Sequence, residues 1–269
     1  MSSSSDYVTS LYSLEGRTAL VTGGTRGIGA GIAIALASAG ANIILPIRTP
    51  GSAANTIAAI EAVGRTCKTF PCDLSSRADA TTLISRVTAA GETIDVLVNV
   101  AGWHRRKAAE SYTDDELEGI WRVNMAGCFT LCRDAARTWF EGELKDWEHG
   151  RRRKKIINTA SVLSFTGGTG LAAYTATKGG IAQVTKTFSN EWAGRGINVN
   201  AIAPGYIRTD LTQDLQDDPE KNKEVLRRTP LGRWGTTEDL AGLVVFLASG
   251  ASDFVTGAIM AVDGGYTAR

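Results

Sequence analysis

Thr18-Ala19-Leu20-Val21-Thr22-Gly23-Gly24-Thr25-Arg26-Gly27-Ile28-Gly29 carries an apolar run into a glycine-rich turn, and an Ala- and Ile-rich stretch over 29–39 follows. The order reads as strand, tight turn, helix. Glycines at such a turn permit positive φ and let a ligand come close to the backbone. The start of the helix offers unpaired N–H groups and a partial positive charge, which suit a pyrophosphate. The spacing is TGxxxGxG rather than GxGxxG. Gly23, Thr25, Arg26, Gly27, Ile28 and Gly29 are therefore read as a phosphate-binding turn for a dinucleotide.

Working outward, strand candidates at 18–22, 42–47, 66–72, 96–99, 155–159, 198–202 and 258–262 alternate with helix candidates at 29–39, 53–63, 78–90, 114–140, 174–193 and 237–248. This alternation implies βαβ units around a parallel sheet. The strands are continuous apolar runs, as expected where helices cover both faces. The fold class is α/β, one doubly wound domain over 14–269, preceded by a flexible segment over 1–13. Two stretches break the rhythm. Residues 143–153 are polar and charged and are read as a surface loop. Residues 207–234 form a long excursion beyond Pro204-Gly205 and are read as a substrate cover, since long loops at a sheet edge carry function.

Tyr174 and Lys178 lie four residues apart, about one helical turn, so on a helix they share a face. An ammonium beside a phenol favours the phenolate and lowers its pKa. A tyrosine tuned in this way exchanges protons with an alcohol or carbonyl oxygen, and the Ser161 hydroxyl is positioned to hold that oxygen. The chemistry also depends on the end of the second strand. An acid there would bind the ribose 2′-OH of NAD, and an Arg the 2′-phosphate of NADP. The chain has Pro46-Ile47-Arg48-Thr49. Arg48, with Arg26 as a second positive charge, favours NADP(H) over NAD(H).

The formal net charge of +1 argues against polyanion binding, so no nucleic-acid partner is expected. The basic run Arg151-Arg152-Arg153-Lys154-Lys155 is read as a solvated loop. Cys67, Cys72, Cys128 and Cys132 form no CxxC pair, and no metal site is expected. Cys128 and Cys132, one turn apart, suit a packed helix face. The polar start Met-Ser-Ser-Ser-Ser-Asp lacks the apolar core of a signal peptide. No apolar run approaches the roughly 20 residues a membrane span needs. Free thiols and these absences give the expectation of a cytoplasmic protein that stays off membranes.

Together these residues resemble the short-chain dehydrogenase/reductase family, over essentially the whole chain after about Leu14. Thr22 to Gly29 match its glycine motif. Asp73, with Leu74 beside it, matches the residue that contacts adenine. Asn99, Ala101 and Gly102 match its NNAG motif, in which Val100 replaces the second Asn. Asn124, Ser161, Tyr174 and Lys178 match its catalytic tetrad, and Pro204, Gly205, Ile207 and Thr209 match the segment at the nicotinamide. The resemblance implies a Rossmann-type sheet and hydride transfer between a nicotinamide and a secondary alcohol or ketone. In that scheme Tyr174 is the acid/base, Lys178 lowers its pKa and binds the ribose, Ser161 positions the substrate oxygen, and Asn124 holds a relay water. It also implies a homotetramer.

Within the family, the segments at 101–107, 161–165, 200–206 and 232–235 are most similar to 2-deoxy-D-gluconate 3-dehydrogenases, which implies a sugar-acid substrate. Arg105 or Arg106 would hold its carboxylate by a bidentate pair; the alternative is that both are solvated or structural. Phe165 and Tyr206, with Trp103 and Trp234, would wall the pocket or belong to core or interface. His104 is read as a pocket wall or surface residue. An NADPH-dependent reductase of another ketone, such as a β-keto ester, and a non-catalytic dinucleotide sensor are the other functions the sequence admits.

Overall fold

The computed structural model describes residues 4–269. Helix α1 (Ser4–Tyr12) precedes β1 (Thr18–Thr22), α2 (Gly27–Ser38), β2 (Asn42–Ile47), α3 (Ala54–Ala62), β3 (Cys67–Pro71), α4 (Arg77–Ala89) and β4 (Val96–Asn99). Helices α5 (Asp114–Trp121) and α6 (Cys128–Glu141), β5 (Lys154–Thr159), α7 (Ala172–Trp192) and β6 (Ile197–Pro204) follow, then α8 (Gln213–Asp217), α9 (Pro219–Arg228), α10 (Glu238–Ala248) and β7 (Ile259–Val262). The strands form one seven-stranded sheet in the order β3-β2-β1-β4-β5-β6-β7, and every pairing is parallel.

Successive strand side chains point to opposite faces, and each face of this sheet has its own core. Ala19 and Val21 of β1, Ile43 and Leu45 of β2, and Val96 and Val98 of β4 pack with Ile32 and Leu36 of α2 and Val244 and Leu247 of α10. The intervening Leu20, Ile44 and Leu97 pack on the other side with Leu83 of α4, Leu131 of α6 and Ile181 of α7. Burial on both faces explains why these strands are apolar without alternation. The two edge strands are the exceptions: Lys68 and Thr69 of β3 are exposed, and β7 is only partly buried, with Ala261 exposed.

Consecutive strands from β1 to β3 run outward one way and those from β4 to β7 the other. The order reverses between β1 and β4, which pair from Ala19↔Val96 to Thr22↔Asn99. In doubly wound sheets the crevice outside the carboxyl ends at such a reversal binds ligands. Thr22, Asn99, Thr159 and Pro204 close their strands at this edge.

Four features depart from the sequence-based expectations. Where a flexible segment was expected, Ser4–Tyr12 is helical, with the Tyr12 ring 6.4 Å from that of Phe246 on α10. The helix expected over 114–140 is interrupted by a π-helical turn, Arg122–Gly127. The loop at 143–153 is not wholly at the surface: Leu144 is buried in the core beneath β5, and Trp147 packs against it with the Arg153 guanidinium over its ring. The basic run is a solvated loop only at its start, where Arg151 and Arg152 are exposed. Lys154 and Lys155 begin β5 and are buried, Lys154 between Asp95 (2.8 Å) and Glu143 (2.7 Å) and Lys155 against Asp253 (2.7 Å) and Ser252 (3.2 Å). Buried ammoniums persist because carboxylates meet them.

Burial pushes the Lys155 ammonium down to about 8, against the pull of Asp253. A lowered lysine pKa means that the unfolded chain holds the proton over the window from about 8 to 10.5, so stability contributed by this site rises with pH across it. Lys155→Met keeps the volume and leaves the half-exposed Asp253 to solvent. The variant is expected to lie within about 1 kcal/mol of wild type at pH 7. From pH 8 to 10 the wild type should gain on it by on the order of 1–2 kcal/mol. Urea melts of both proteins across that range check this; parallel stability curves would refute it.

Candidate active site

The glycine turn closes on itself before it meets any ligand. A Cβ on Gly29 would lie 2.1 Å from the Gly23 carbonyl oxygen, and one on Gly23, at φ +67°, would lie 3.0 Å from the backbone of Ala101. The Thr22 hydroxyl accepts hydrogen bonds from the amides of Val100 (3.0 Å) and Ala101 (3.1 Å), tying the ends of β1 and β4 together. No side chain caps the start of α2 at Arg26, so its first N–H groups remain available to an anion. These features fit a dinucleotide pyrophosphate. Arg48 is exposed just after β2, close enough to Asp73 to help hold that carboxyl below its usual range, after the larger effect of the Ser75 hydroxyl and amide. Leu74 packs on the core under α4 and α6. Asn99 donates to the Asn158 side chain (3.0 Å), which fixes the floor of the crevice.

Tyr174 and Lys178 share a face of α7, with the Lys178 Nζ 5.6 Å from the centre of the Tyr174 ring. The ammonium donates to the carbonyl of Thr159 at the end of β5 (2.5 Å). Ser161, two residues on, is buried and accepts from the Leu163 amide (3.1 Å). Ser164 fastens this turn to α7 by donating to the Lys178 carbonyl (2.7 Å). Sequence spacing thus becomes one cluster of Ser161, Tyr174 and Lys178 at the carboxyl edge.

The expected lowering of the phenol by Lys178 is not what the burial of the pair produces. Burial pushes Tyr174 up to about 12, against the opposing hydrogen bond with Ser161, and pushes Lys178 down to about 8. Desolvation disfavours both charged forms, and the effects that oppose it come from Ser161 for the phenol and Cys128 for the ammonium rather than from the pair itself.

Asn124 sits in the π-helical turn, and its side chain works as a clamp. Its Oδ1 accepts from the Trp103 amide (3.0 Å), and its Nδ2 donates to the Trp103 carbonyl (2.9 Å) and to Thr177 (3.3 Å). Thr177 in turn donates to the Tyr174 carbonyl (2.7 Å). The residue therefore joins the loop after β4 to α7 between Tyr174 and Lys178. Gly102 lies against it, with room for a Cβ only 3.2 Å from Oδ1.

The cover is anchored by a narrow neck. Ile207 bridges to Gly235, and the Trp234 indole, buried, donates to Asn222 on α9 (2.7 Å). Gly205 leaves β6 where a Cβ would lie 2.6 Å from Asp263. Thr209 reaches the glycine turn, 3.4 Å from the Cβ position of Gly27, and Asp210 faces Arg26 across solvent at 3.7 Å.

Among the residues read as substrate contacts, Tyr206 joins Tyr174 in a small cluster with Val162, Leu163, Leu171 and Tyr266. Phe165 is about half exposed. The arginines are engaged elsewhere: Arg105 pairs with Glu116 (3.2 Å), and Arg106 donates to the Thr169 carbonyl (2.7 Å). The alternative, that both arginines are structural or solvated, matches these partners. His104 stands closer to the chemistry than the sequence suggested, with its ring 5.6 Å from that of Tyr174 in an edge-on arrangement.

The chain matches the family model described as enoyl-(acyl carrier protein) reductase over residues 23–267. It is 44% identical over 263 residues to the 2-dehydro-3-deoxy-D-gluconate 5-dehydrogenase of Bacillus subtilis (strain 168), covering 98% of this chain and 99% of that one. It is 36% identical to the gluconate 5-dehydrogenase of Gluconobacter oxydans (strain 621H), covering 96% and 97%. The crystal structure of a gluconate 5-dehydrogenase from Burkholderia cenocepacia J2315 in complex with NADP and tartrate superimposes with a TM-score of 0.90, at 37% identity over 97% of this chain and 99% of that one.

Removing the phenol while keeping the ring isolates proton transfer from binding. Tyr174→Phe is expected to lower kcat by at least about 100-fold, in line with the contribution of a positioned acid/base, and to leave the dissociation constant of NADPH within about threefold by fluorescence titration. Near-normal turnover would show that another group handles the proton.

Proposed function

The chain belongs to the short-chain dehydrogenase/reductase family and is an NAD(P)-dependent oxidoreductase; from that premise we propose that it interconverts a secondary hydroxyl and a keto group on a sugar acid, with NADP(H) as its cofactor. The observation that carries this reading is the cluster of Tyr174, Ser161 and Lys178 beside an uncapped helix start at the strand-order reversal. The sugar-acid substrate is supported by the relatives, which are dehydrogenases of gluconate and 2-dehydro-3-deoxy-D-gluconate.

Gly23, Thr25, Arg26, Gly27, Ile28 and Gly29 would hold the pyrophosphate. Arg48 would meet the 2′-phosphate, Asp73 and Leu74 the adenine, and Asn99, Ala101 and Gly102 the sugar next to it. Pro204, Gly205, Ile207 and Thr209 would line the nicotinamide end. When bound, the nicotinamide supplies or accepts the hydride. The protein manages the proton. Ser161 orients the substrate oxygen, and Tyr174 gives it a proton in reduction and takes one in oxidation. Lys178, held at the Thr159 carbonyl, reaches toward the ribose. Because the Asn124 amide is spent on Trp103 and Thr177, any relay water falls to the backbone of the π-helical turn rather than to that side chain.

A phenol pushed up to about 12 keeps its proton at neutral pH. Reduction needs that proton and oxidation needs it gone, so reduction is expected to stay nearly flat from about pH 6 to 8 while oxidation climbs with pH. The cytoplasm is the compartment in which four free thiols stay reduced, and no helix among the described residues is long and apolar enough to cross a membrane. Exposed Leu117, Trp121 and Phe129 on α5 and α6 supply apolar surface for the homotetramer the family pattern suggests.

Two measurements test the reading. Steady-state rates on D-gluconate, 2-dehydro-3-deoxy-D-gluconate and simple secondary alcohols, each with NADP and NAD, should favour a sugar acid with NADP. Arg48→Asp is expected to cut kcat/KM for NADPH by roughly 10–100-fold relative to NADH, since a guanidinium–phosphate pair becomes a repulsion. An unchanged cofactor ratio would remove Arg48 from the 2′-phosphate.

A further inference from the structure

The loop after β4 is pinned on both sides of one residue. Asn124 clamps both backbone groups of Trp103. Beyond it, Glu116 holds Arg105 (3.2 Å) and Lys107 (2.6 Å), Arg106 is tied to the Thr169 carbonyl, and the Lys107 amide donates to Gly170 (2.8 Å). The Tyr112 hydroxyl also donates to the Arg105 carbonyl. Every neighbour is committed; the His104 ring has the Leu211 carbonyl on one side and an unpartnered nitrogen on the other. Its Nδ1 is buried without a hydrogen-bond partner among the described residues, although buried polar atoms are paired in the great majority of cases.

The surroundings indicate what that nitrogen is for. The imidazole stands edge-on to Tyr174 of α7, with the Leu211 carbonyl and Asp214 of the cover facing it and Arg106 beside it in its own loop. Burial and then Arg106 hold its pKa below 6.5, against the weaker contrary pull of Leu211 and Asp214. The ring is therefore neutral at pH 7, with one nitrogen a donor and the other an acceptor. A neutral ring with its cover-facing side at a carbonyl leaves Nδ1 as the acceptor. An acceptor one ring away from the acid/base phenol is within reach of a hydroxyl on a carbon next to the reacting one.

We propose that His104 is a specificity-determining contact whose Nδ1 accepts a hydrogen bond from a substrate hydroxyl adjacent to the reacting carbon, so that the site favours polyhydroxy acids over plain secondary alcohols. The inference rests on the sugar-acid reading above and adds the group that reads the hydroxyl. A site with an unpaired polar group discriminates against an analogue that leaves it unpaired. The cover shares the same residue, so a substrate that reaches Nδ1 also meets the segment around Leu211 and Asp214.

The test compares wild type, His104→Leu and His104→Asn on the better of D-gluconate and 2-dehydro-3-deoxy-D-gluconate and on cyclohexanol, with NADP. Leucine removes the acceptor; asparagine puts a non-titrating carbonyl near the position of Nδ1. For His104→Leu the ratio of kcat/KM, sugar acid over cyclohexanol, is expected to fall roughly 10–100-fold, and His104→Asn is expected to recover much of it. The wild-type ratio should also fall as acid protonates the imidazole below about pH 6.5, whereas that of His104→Asn should stay level. An unchanged ratio in His104→Leu, or the same acid dependence in all three proteins, would overturn the role of His104 while leaving the sugar-acid reading in place. A wild type that prefers cyclohexanol would overturn both.

Discussion

Burial of a parallel sheet on both faces is the constraint on which the remaining features of this molecule depend. Strands β1, β2 and β4 send alternate side chains into two separate cores, one under α2 and α10 and the other under α4, α6 and α7. With both faces occupied, polar chemistry is pushed to the edges, and only the carboxyl edge has helix N-termini facing it. The Thr22 hydroxyl and the Gly23–Ala101 contact then draw the glycine turn and the loop after β4 together. The glycine turn, Tyr174 with Lys178, and the loop after β4 therefore meet at one crevice, where the proposed phosphate binding, proton transfer and substrate selection would share a site.

The same burial sets the electrostatic state of the catalytic cluster. Spacing along a helix shows which groups are neighbours, but not whether desolvation or charge attraction wins between them. For Tyr174 and Lys178 desolvation wins, pushing the phenol up and the ammonium down. In the proposed reaction a phenol held in its neutral form would serve first as an acid.

Most of the scaffold was legible in the sequence because local rules and global packing agree there. The glycine turn, the apolar strands and the one-turn offset of Tyr174 and Lys178 are short-range patterns, and the bounds of β1, β2 and β4 follow directly from them. What escaped the sequence depends on distant partners. Lys154 and Lys155 look like solvated charges until Asp95, Glu143 and Asp253 are brought to them by the fold. The π-helical turn at Arg122–Gly127 leaves no trace in periodicity, and it carries Asn124, whose side chain bonds a loop about twenty residues upstream. His104 reads from the sequence only as a pocket wall or surface residue, since a lone histidine carries no spacing signal; its place beside Tyr174 comes from the fold.

Arg105 and Arg106 invite a carboxylate by composition alone, yet the structure spends both on shaping the loop, through Glu116 and Thr169. Glu116 also closes the capping box of α5 with Thr113, so one carboxylate couples the start of a helix to the geometry of the pocket wall. A loop fixed at so many points pays little entropy on binding. On the proposed role of His104, rigidity of this kind would make a single unpaired nitrogen selective, since a loop held at these points would have little freedom to satisfy it by moving. Specificity would then reside less in the charged side chains of the loop than in the neutral one they hold in place.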